Sequence, residues 1–169
     1  NGTSWSEQNN MNTARGANHT IGGLTGQASA LTTGGSPNFS ITEQWNGTSM
    51  VTGASLSSVR FAHSAGGTTT SGIVGLGNNS SSSPPYGSTA TEEYNGSSWS
   101  NGGNLNQTRY GISAGGSEPA GLAMGGGVPG SPNAYNNVEE YNGSSWTSVT
   151  TLPGKRAYGI GYGPQTAAK

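Results

Sequence analysis

The charged residues of this chain recur at fixed intervals, and that regularity limits the chemistry they can do. Six of the 169 residues are lysine or arginine, and four of these are arginines at intervals of 45, 49 and 47 residues: Arg15, Arg60, Arg109 and Arg156. Three glutamates each lie 17 residues before the next arginine: Glu43, Glu92 and Glu139. A group that returns in every repeat is expected to stabilise the repeat, because catalysis seldom needs one copy per unit. We therefore predict a repeated ion pair, either within one unit or between neighbours.

The other residues capable of catalysis or metal binding do not form a recognisable site. His19 and His63 lie four and three residues after their arginines, out of register, and two histidines are too few for a closed metal site. Glu92-Glu93 and Glu139-Glu140 would point to opposite faces of a strand, unlike a glycosidase pair. The chain has no aspartate, which excludes the usual calcium loop and the Ser-His-Asp triad. We predict no catalytic residue, no metal and no cofactor.

One repeated stretch must position these charges. Thr91 to Trp99 returns almost unchanged as Val138 to Trp146, and in altered form as Thr42 to Met50, while Asn1 to Trp5 repeats its second half. The Asn-Gly dipeptide between two strand-like runs is the strongest short signal for a hairpin with a two-residue type I′ turn, in which both central residues have positive φ. Each copy is therefore predicted to be a strand, a tight turn and a second strand.

The rest of each unit predicts two further strands. In the third unit the four strands are expected at Tyr110 to Ala114, Gly121 to Met124, Val138 to Tyr141 and Ser145 to Val149. No segment has the 3.6-residue apolar period of a helix, and glycine or proline interrupts every longer window. The fold class is predicted to be all-β, with four short antiparallel strands per unit. A repeat of 45 to 49 residues leaves two architectures for these strands, a β-propeller or, as the alternative, a stacked β-solenoid.

The order of residues within a unit resembles the kelch repeat. Two local matches carry the resemblance: Arg60 to His63 with Gly75 to Gly77, and Gly125-Gly126 with Val138 to Tyr141. The resemblance implies that each repeat of about 45 to 50 residues is one four-stranded propeller blade. The Tyr-Asn-Gly-Ser-Ser-Trp form of the motif is also similar to kelch-like arrays of bacteriophage tail and virion proteins.

The repeats divide the chain into units. Residues 1–14 are expected to be the last strand of a preceding blade; residues 15–59, 60–108 and 109–155 (units 1 to 3) are one blade each, and residues 156–169 (unit 4) begin an incomplete blade. That gives about three and a half blades, whereas propellers usually have four to eight. We therefore expect further chain or another copy of the chain to complete the ring, with a four-bladed monomer as the alternative.

Composition narrows the choice of partners. A net charge of −1 with 8% charged residues provides no field to attract nucleic acid or an anionic membrane. No apolar run approaches the roughly 18 residues of a spanning helix, so membrane insertion is not expected. Few lysines with abundant Ser, Thr, Asn and Gly favour an extracellular or virion-surface location.

Binding is expected on the one part of the repeat that varies. The connections Ser36 to Ser40, Asn78 to Ser88 and Val128 to Asn137 differ in length, yet each carries proline and an aromatic residue: Phe39, Tyr86 and Tyr135. Variable loops on a rigid scaffold are common binding sites. The sequence thus favours a non-enzymatic structural or adhesive module that binds host glycan or protein. The alternative is part of a propeller enzyme of the sialidase or galactose-oxidase kind, which the missing Asp and Cys disfavour.

Overall fold

The fold is all-β, as the sequence predicts, in a computed structural model that describes residues 3–22, 29–77, 87–127, 131–159, 161 and 165. Each of units 1 to 3 forms one four-stranded antiparallel sheet whose strands follow chain order. Sheet 1 contains β1 (His19–Gly22), β2 (Ala30–Gly35), β3 (Phe39–Trp45) and β4 (Met50–Thr52). Sheet 2 contains β5 (Ser64–Gly67), β6 (Gly72–Gly75), β7 (Thr91–Tyr94) and β8 (Trp99–Asn101). Sheet 3 contains β9 (Ser113–Ser117), β10 (Ala120–Met124), β11 (Val138–Tyr141) and β12 (Trp146–Val149).

The described residues contain no helix, and therefore none that is long and apolar enough to cross a membrane.

The sheets lie side by side through their first strands, with β1 next to β5 and β5 next to β9. Small side chains make this approach possible, since a Cβ added to Gly66 of β5 would lie 3.0 Å from the Gly116 carbonyl oxygen of β9. The low apolar content of the chain follows from this close packing.

Two hydrophobic clusters fill the spaces between the sheets. The cluster between sheets 1 and 2 contains Ile21, Leu31, Leu56, Val74 and Tyr94. The cluster between sheets 2 and 3 contains Ile73, Leu76, Leu105, Ile112, Ala123, Tyr141 and Trp146. Ile73 and Val74 are adjacent in β6, and because strand side chains alternate, sheet 2 is buried on both faces. Cross-strand aromatic pairs provide the largest side chains: Tyr94 with Trp99 at 4.8 Å and Tyr141 with Trp146 at 5.0 Å between ring centroids.

A left-handed residue two positions after each repeated arginine links the units through the backbone. These residues are Ala17, Ala62, Gly111 and Tyr158, with φ of 48°, 48°, 56° and 57°. The N–H of Ala62 donates to the Ala17 carbonyl (3.1 Å), that of Gly111 to Ala62 (3.3 Å), and that of Tyr158 to Gly111 (2.7 Å). Sequence patterns did not predict this link, because alanine and tyrosine seldom adopt positive φ.

The Asn-Gly hairpins form where the sequence predicts them, but the prediction of a two-residue type I′ turn is wrong. Tyr94 pairs with Trp99, so four residues connect β7 and β8, and only Gly96 among them has positive φ, at 95°. The Asn95 side chain explains the difference. Its Oδ1 accepts the backbone N–H groups of Ser97 (3.0 Å) and Ser98 (2.9 Å), which holds the turn without a left-handed asparagine.

The beginning of the chain also differs from expectation. Residues 3–14 contain no strand, although residues 1–14 were expected to be the last strand of a preceding blade, and Trp5 is 100% exposed. In unit 3 the tryptophan strand pairs with the Glu-Tyr strand just before it, Trp146 with Tyr141, whereas Trp5 takes part in no strand pairing among the described residues. Asn9 and Asn12 instead donate side-chain hydrogen bonds to the carbonyls of Thr48 (2.8 Å) and Met50 (3.0 Å).

Asn95→Ala should lower the free energy of unfolding by about 1 kcal/mol in urea denaturation, because two backbone N–H groups lose their acceptor. Asn95→Asp is the matched control, since a carboxylate oxygen can accept the same hydrogen bonds, and its effect should stay within about 0.5 kcal/mol. An equal loss in both variants would contradict the assigned role of the side-chain oxygen.

Candidate functional site

Three buried ion pairs connect the repeated charges, each within one unit. The Arg15–Glu43, Arg60–Glu92 and Arg109–Glu139 pairs have N···O distances of 2.6, 2.8 and 2.7 Å, and every side chain involved is at most 2% exposed. Each arginine precedes β1, β5 or β9, and each glutamate lies on the third strand of the same sheet. Of the two arrangements that the sequence left open, the pair within a unit is the one observed.

Each glutamate also holds the segment that leads into its unit. Its second oxygen accepts the backbone N–H of the residue three positions before the arginine: Asn12 (2.7 Å), Ser57 (2.7 Å) and Asn106 (2.8 Å). Two of these segments, at Ser57 and Asn106, come directly from the preceding sheet. The carboxylates are thus hydrogen-bonded on both oxygens, as buried charges require.

Arg60 and Arg109 bind both ends of the variable connections of units 2 and 3. Nη1 of Arg60 donates to the carbonyls of Leu76 (3.2 Å) and Ala90 (3.0 Å), and Nη1 of Arg109 donates to Gly125 (2.8 Å) and Asn137 (2.8 Å). These carbonyls flank the connection between the second and third strands. We call each buried arginine with its glutamate and its carbonyl partners an arginine clamp. Burial lowers the pKa of Arg109 below its ordinary value, and the Glu139 carboxylate offsets part of this decrease.

Arg156 occupies the fourth repeat position without a clamp. It is exposed, and its Nη1 donates to the carbonyl of its neighbour Lys155 at 2.9 Å. In units 1 to 3 the paired glutamate lies on the third strand of the sheet, 28 to 32 residues after the arginine. The Arg156 backbone keeps the repeat geometry, because the Gly126 N–H donates to the Arg156 carbonyl at 2.7 Å.

Two of the three candidate ligand-binding aromatics occupy the same place in their units. Phe39 and Tyr135 are half-buried, and their carbonyls accept the N–H of the next repeated arginine, Arg60 (3.2 Å) and Arg156 (3.0 Å). They lie in units 1 and 3, on either side of unit 2. Tyr86 lies outside the described residues; the position in unit 2 that matches Phe39 and Tyr135, four residues before the clamped glutamate, is Ser88.

The structure also pairs two tyrosines that sequence alignment of the repeats does not bring together. The rings of Tyr110 and Tyr158 meet edge to face at 5.8 Å, and Tyr158 is 70% exposed. Glycines make room for both rings: an added Cβ would lie 2.7 Å from Tyr110 Cζ at Gly127, and 2.8 Å from Tyr158 Cδ1 at Gly111. Partial burial, and then a hydrogen bond to Tyr110, raises the pKa of Tyr158. Tyr110 and Tyr158 hold different repeat positions, one and two residues after an arginine.

His19 and His63 are also brought together, which their unequal spacing from the arginines did not indicate. Their ring centroids lie 5.2 Å apart, and His63 is 0% exposed with neither ring nitrogen hydrogen-bonded. Burial, then His19, then Arg60 lower the pKa of His63 well below its ordinary 6.5, and burial lowers that of His19. In the part of the chain that the structure describes, no group of three or more His, Cys, Asp or Glu side chains is placed to hold a metal ion.

Comparison with known proteins gave no match, either to protein-family models or to curated proteins. No family is therefore assigned.

Arg109→Met should lower the free energy of unfolding by about 3 to 5 kcal/mol, because Glu139 would stay buried without its cation. Arg156→Met is the matched control at the exposed repeat position and should change stability by less than about 0.5 kcal/mol. Chemical denaturation of both variants measures the difference. A loss below about 1 kcal/mol for Arg109→Met would mean that the clamps do not stabilise the units.

Proposed function

We propose that this chain is a non-enzymatic structural and adhesive module, a kelch-like β-propeller segment that binds glycan or protein on a virion or cell surface. Three consecutive four-stranded antiparallel sheets, each made by one unit and adjacent through their first strands, support the propeller arrangement. The resemblance of the repeats to kelch-like virion arrays supports the surface location.

The observation that carries the proposal is the position of the arginine clamps. The clamps of Arg60 and Arg109 bind the carbonyls at both ends of a connection whose length and sequence vary between units. Between these fixed ends the chain is free to differ without disturbing the sheets. A rigid base beneath variable loops is the arrangement in which recognition residues are usually found.

The side chains near these connections favour a glycan as ligand. Tyr135 and Phe39 are half-buried at the ends of the connections, and Tyr158 adds an exposed ring supported by Tyr110. Aromatic rings stack on the apolar faces of sugars, and the surrounding Ser and Asn side chains can hydrogen-bond sugar hydroxyls. Tyr86, in the connection of unit 2, is proposed as a further contact from the sequence alone.

We also infer that sheet 1 accepts a further repeat unit on its face turned away from sheet 2, from additional chain or from another copy. Tyr94 and Trp99 of sheet 2 pack against sheet 1, and Trp99 Nε1 donates to Thr42 Oγ1 at 3.0 Å. Trp45 and Met50 form the equivalent cross-strand pair of sheet 1. The face of sheet 1 turned away from sheet 2 thus matches a face that sheet 2 buries, which suits repeated assembly.

Tyr86→Ala, Tyr135→Ala and Tyr158→Ala should weaken binding on a glycan array while leaving the thermal unfolding temperature nearly unchanged, because their rings are proposed to contact ligand. Trp5→Ala, which removes a fully exposed aromatic side chain that belongs to none of the three connections, is the matched control and should keep full binding. If the tyrosine variants lose stability and retain binding, the rings are structural.

Turnover of chromogenic glycosides by the wild-type chain would contradict the non-enzymatic assignment.

Sedimentation should show association of the 16.9 kDa chain at micromolar concentration, because the face of sheet 1 that carries Trp45 and Met50 matches the face of sheet 2 that packs against sheet 1. Met50→Lys should weaken that association by placing a charge on this face, whereas Val51→Lys, on the opposite face of the same strand, should not. A stable, soluble monomer would contradict the inferred assembly.

A further inference from the structure

The two interfaces between sheets are built alike except around one side chain. His63 in unit 2 and Ile112 in unit 3 each lie three residues after the clamped arginine. Each packs against a glycine of its own unit: a Cβ added to Gly77 would lie 2.6 Å from His63 Cβ, and one added to Gly126 would lie 2.6 Å from Ile112 Cγ2. The same buried position therefore holds an imidazole at one interface and an aliphatic chain at the other.

The residue of the preceding sheet that packs against this position also differs between the two interfaces. At the interface of sheets 2 and 3, the fully buried Leu76 shares a cluster with Ile112. The residue of unit 1 equivalent to Leu76 is Gly34, and a Cβ there would lie 2.7 Å from His63 Cε1. Both Leu76 and Gly34 have φ of 61°, so the backbone is the same and only the side chain is absent. The space that leucine fills in one interface is taken by the imidazole in the other.

The first strands differ as well. His19 of β1 contacts the His63 ring, whereas its equivalent in β5 is Ser64, whose hydroxyl donates to the Ile112 carbonyl at 2.5 Å. The interface of sheets 1 and 2 thus contains two imidazoles at the place where that of sheets 2 and 3 contains a hydroxyl and an aliphatic side chain.

The surroundings of His63 suit only its neutral form. Neither ring nitrogen has a hydrogen-bond partner, and the charged groups that act on it, His19 and Arg60, are cationic when protonated. The nearest strands provide carboxylates that are already engaged. Glu92 is hydrogen-bonded to Arg60 and to the Ser57 N–H, and Glu43 is held by Arg15, Asn12 and Thr13. A proton on His63 would therefore be buried among cations without an anion to balance it.

We propose that the interface of sheets 1 and 2 is a pH-sensitive joint that loosens on mild acidification through protonation of His19 and His63, while the interface of sheets 2 and 3 stays closed. This inference is independent of the proposed function, because it concerns only residues between the first two sheets.

The direction of the effect follows from proton linkage. Burial lowers the pKa of both histidines below 6.5, their ordinary value, so the unfolded chain binds protons at a higher pH than the folded chain. The contribution of the neutral pair is fully present above pH 6.5 and is lost as the pH falls from 6.5 through the lower pKa of the folded pair. Within that window the folding equilibrium constant falls about tenfold per pH unit for each histidine that remains neutral.

The test compares denaturant unfolding of the wild-type chain and the His19→Ser/His63→Ile variant between pH 7.5 and 5.0. Both replacements are the residues that the chain itself uses at the equivalent positions of later units. The wild-type equilibrium constant should fall at least tenfold over this range, and the fall should shrink to less than threefold in the variant. Equal falls in the two proteins would overturn the proposal.

Hydrogen exchange locates the change and covers the case in which the double variant fails to fold. At pH 5.0, after correction for intrinsic exchange rates, wild-type amides of residues 30–45 should lose protection relative to pH 7.5, and those of residues 120–124 and 138–141, in sheet 3, should keep theirs. The imidazole resonances of the wild-type chain should titrate below pH 6.5. Uniform loss of protection in both segments, or titration of both histidines at 6.5 or above, would contradict the joint.

Discussion

The buried ion pair between a repeated arginine and a glutamate is the interaction on which the other contacts of each unit depend. Burying two opposite charges costs several kcal/mol per ion unless hydrogen bonds satisfy them, so such a pair has few acceptable geometries. Here Glu139 holds the incoming segment at Asn106, and Arg109 holds the carbonyls of Gly125 and Asn137. One pair thereby fixes where the unit begins and where its longest connection leaves and returns. Only 29% of the residues are hydrophobic, so the core is small and the ion pairs supplement the stabilisation that it provides.

The apolar contacts complement the clamps. Glycine, alanine and serine on β5 and β9 bring backbones close together, and tyrosine–tryptophan pairs provide the largest side chains in the clusters between sheets. Ile73 and Val74 of sheet 2 belong to different hydrophobic clusters, one shared with sheet 3 and one with sheet 1. Sheet 2 is therefore stabilised by a neighbour on each face. Stability in this architecture is largely a sum of units and of contacts between adjacent units, as in other repeat proteins.

Repetition made part of the structure predictable. The strand class, the hairpins and the charged residues that pair were evident because the same residue types return at the same spacing. The contacts between His19 and His63, and between Tyr110 and Tyr158, were not, because each joins positions that are not equivalent in their units. An alignment of the repeats compares equivalent positions, whereas neighbouring units contact each other through positions that are not equivalent. The turn type was also missed, because Asn95 acts through its side chain rather than through its own φ.

The backbone link between units has a direction. At each step a left-handed residue donates its N–H to the carbonyl of the corresponding residue in the unit before it, from Tyr158 to Gly111, to Ala62 and to Ala17. One surface of a unit is therefore the donor and the opposite surface the acceptor, which makes every junction heterologous rather than self-complementary. Copies related by a two-fold axis would present donor to donor and could not extend the series. A junction of this kind repeats in one direction, and it produces a ring if the rotation between units closes and an open helical array if it does not.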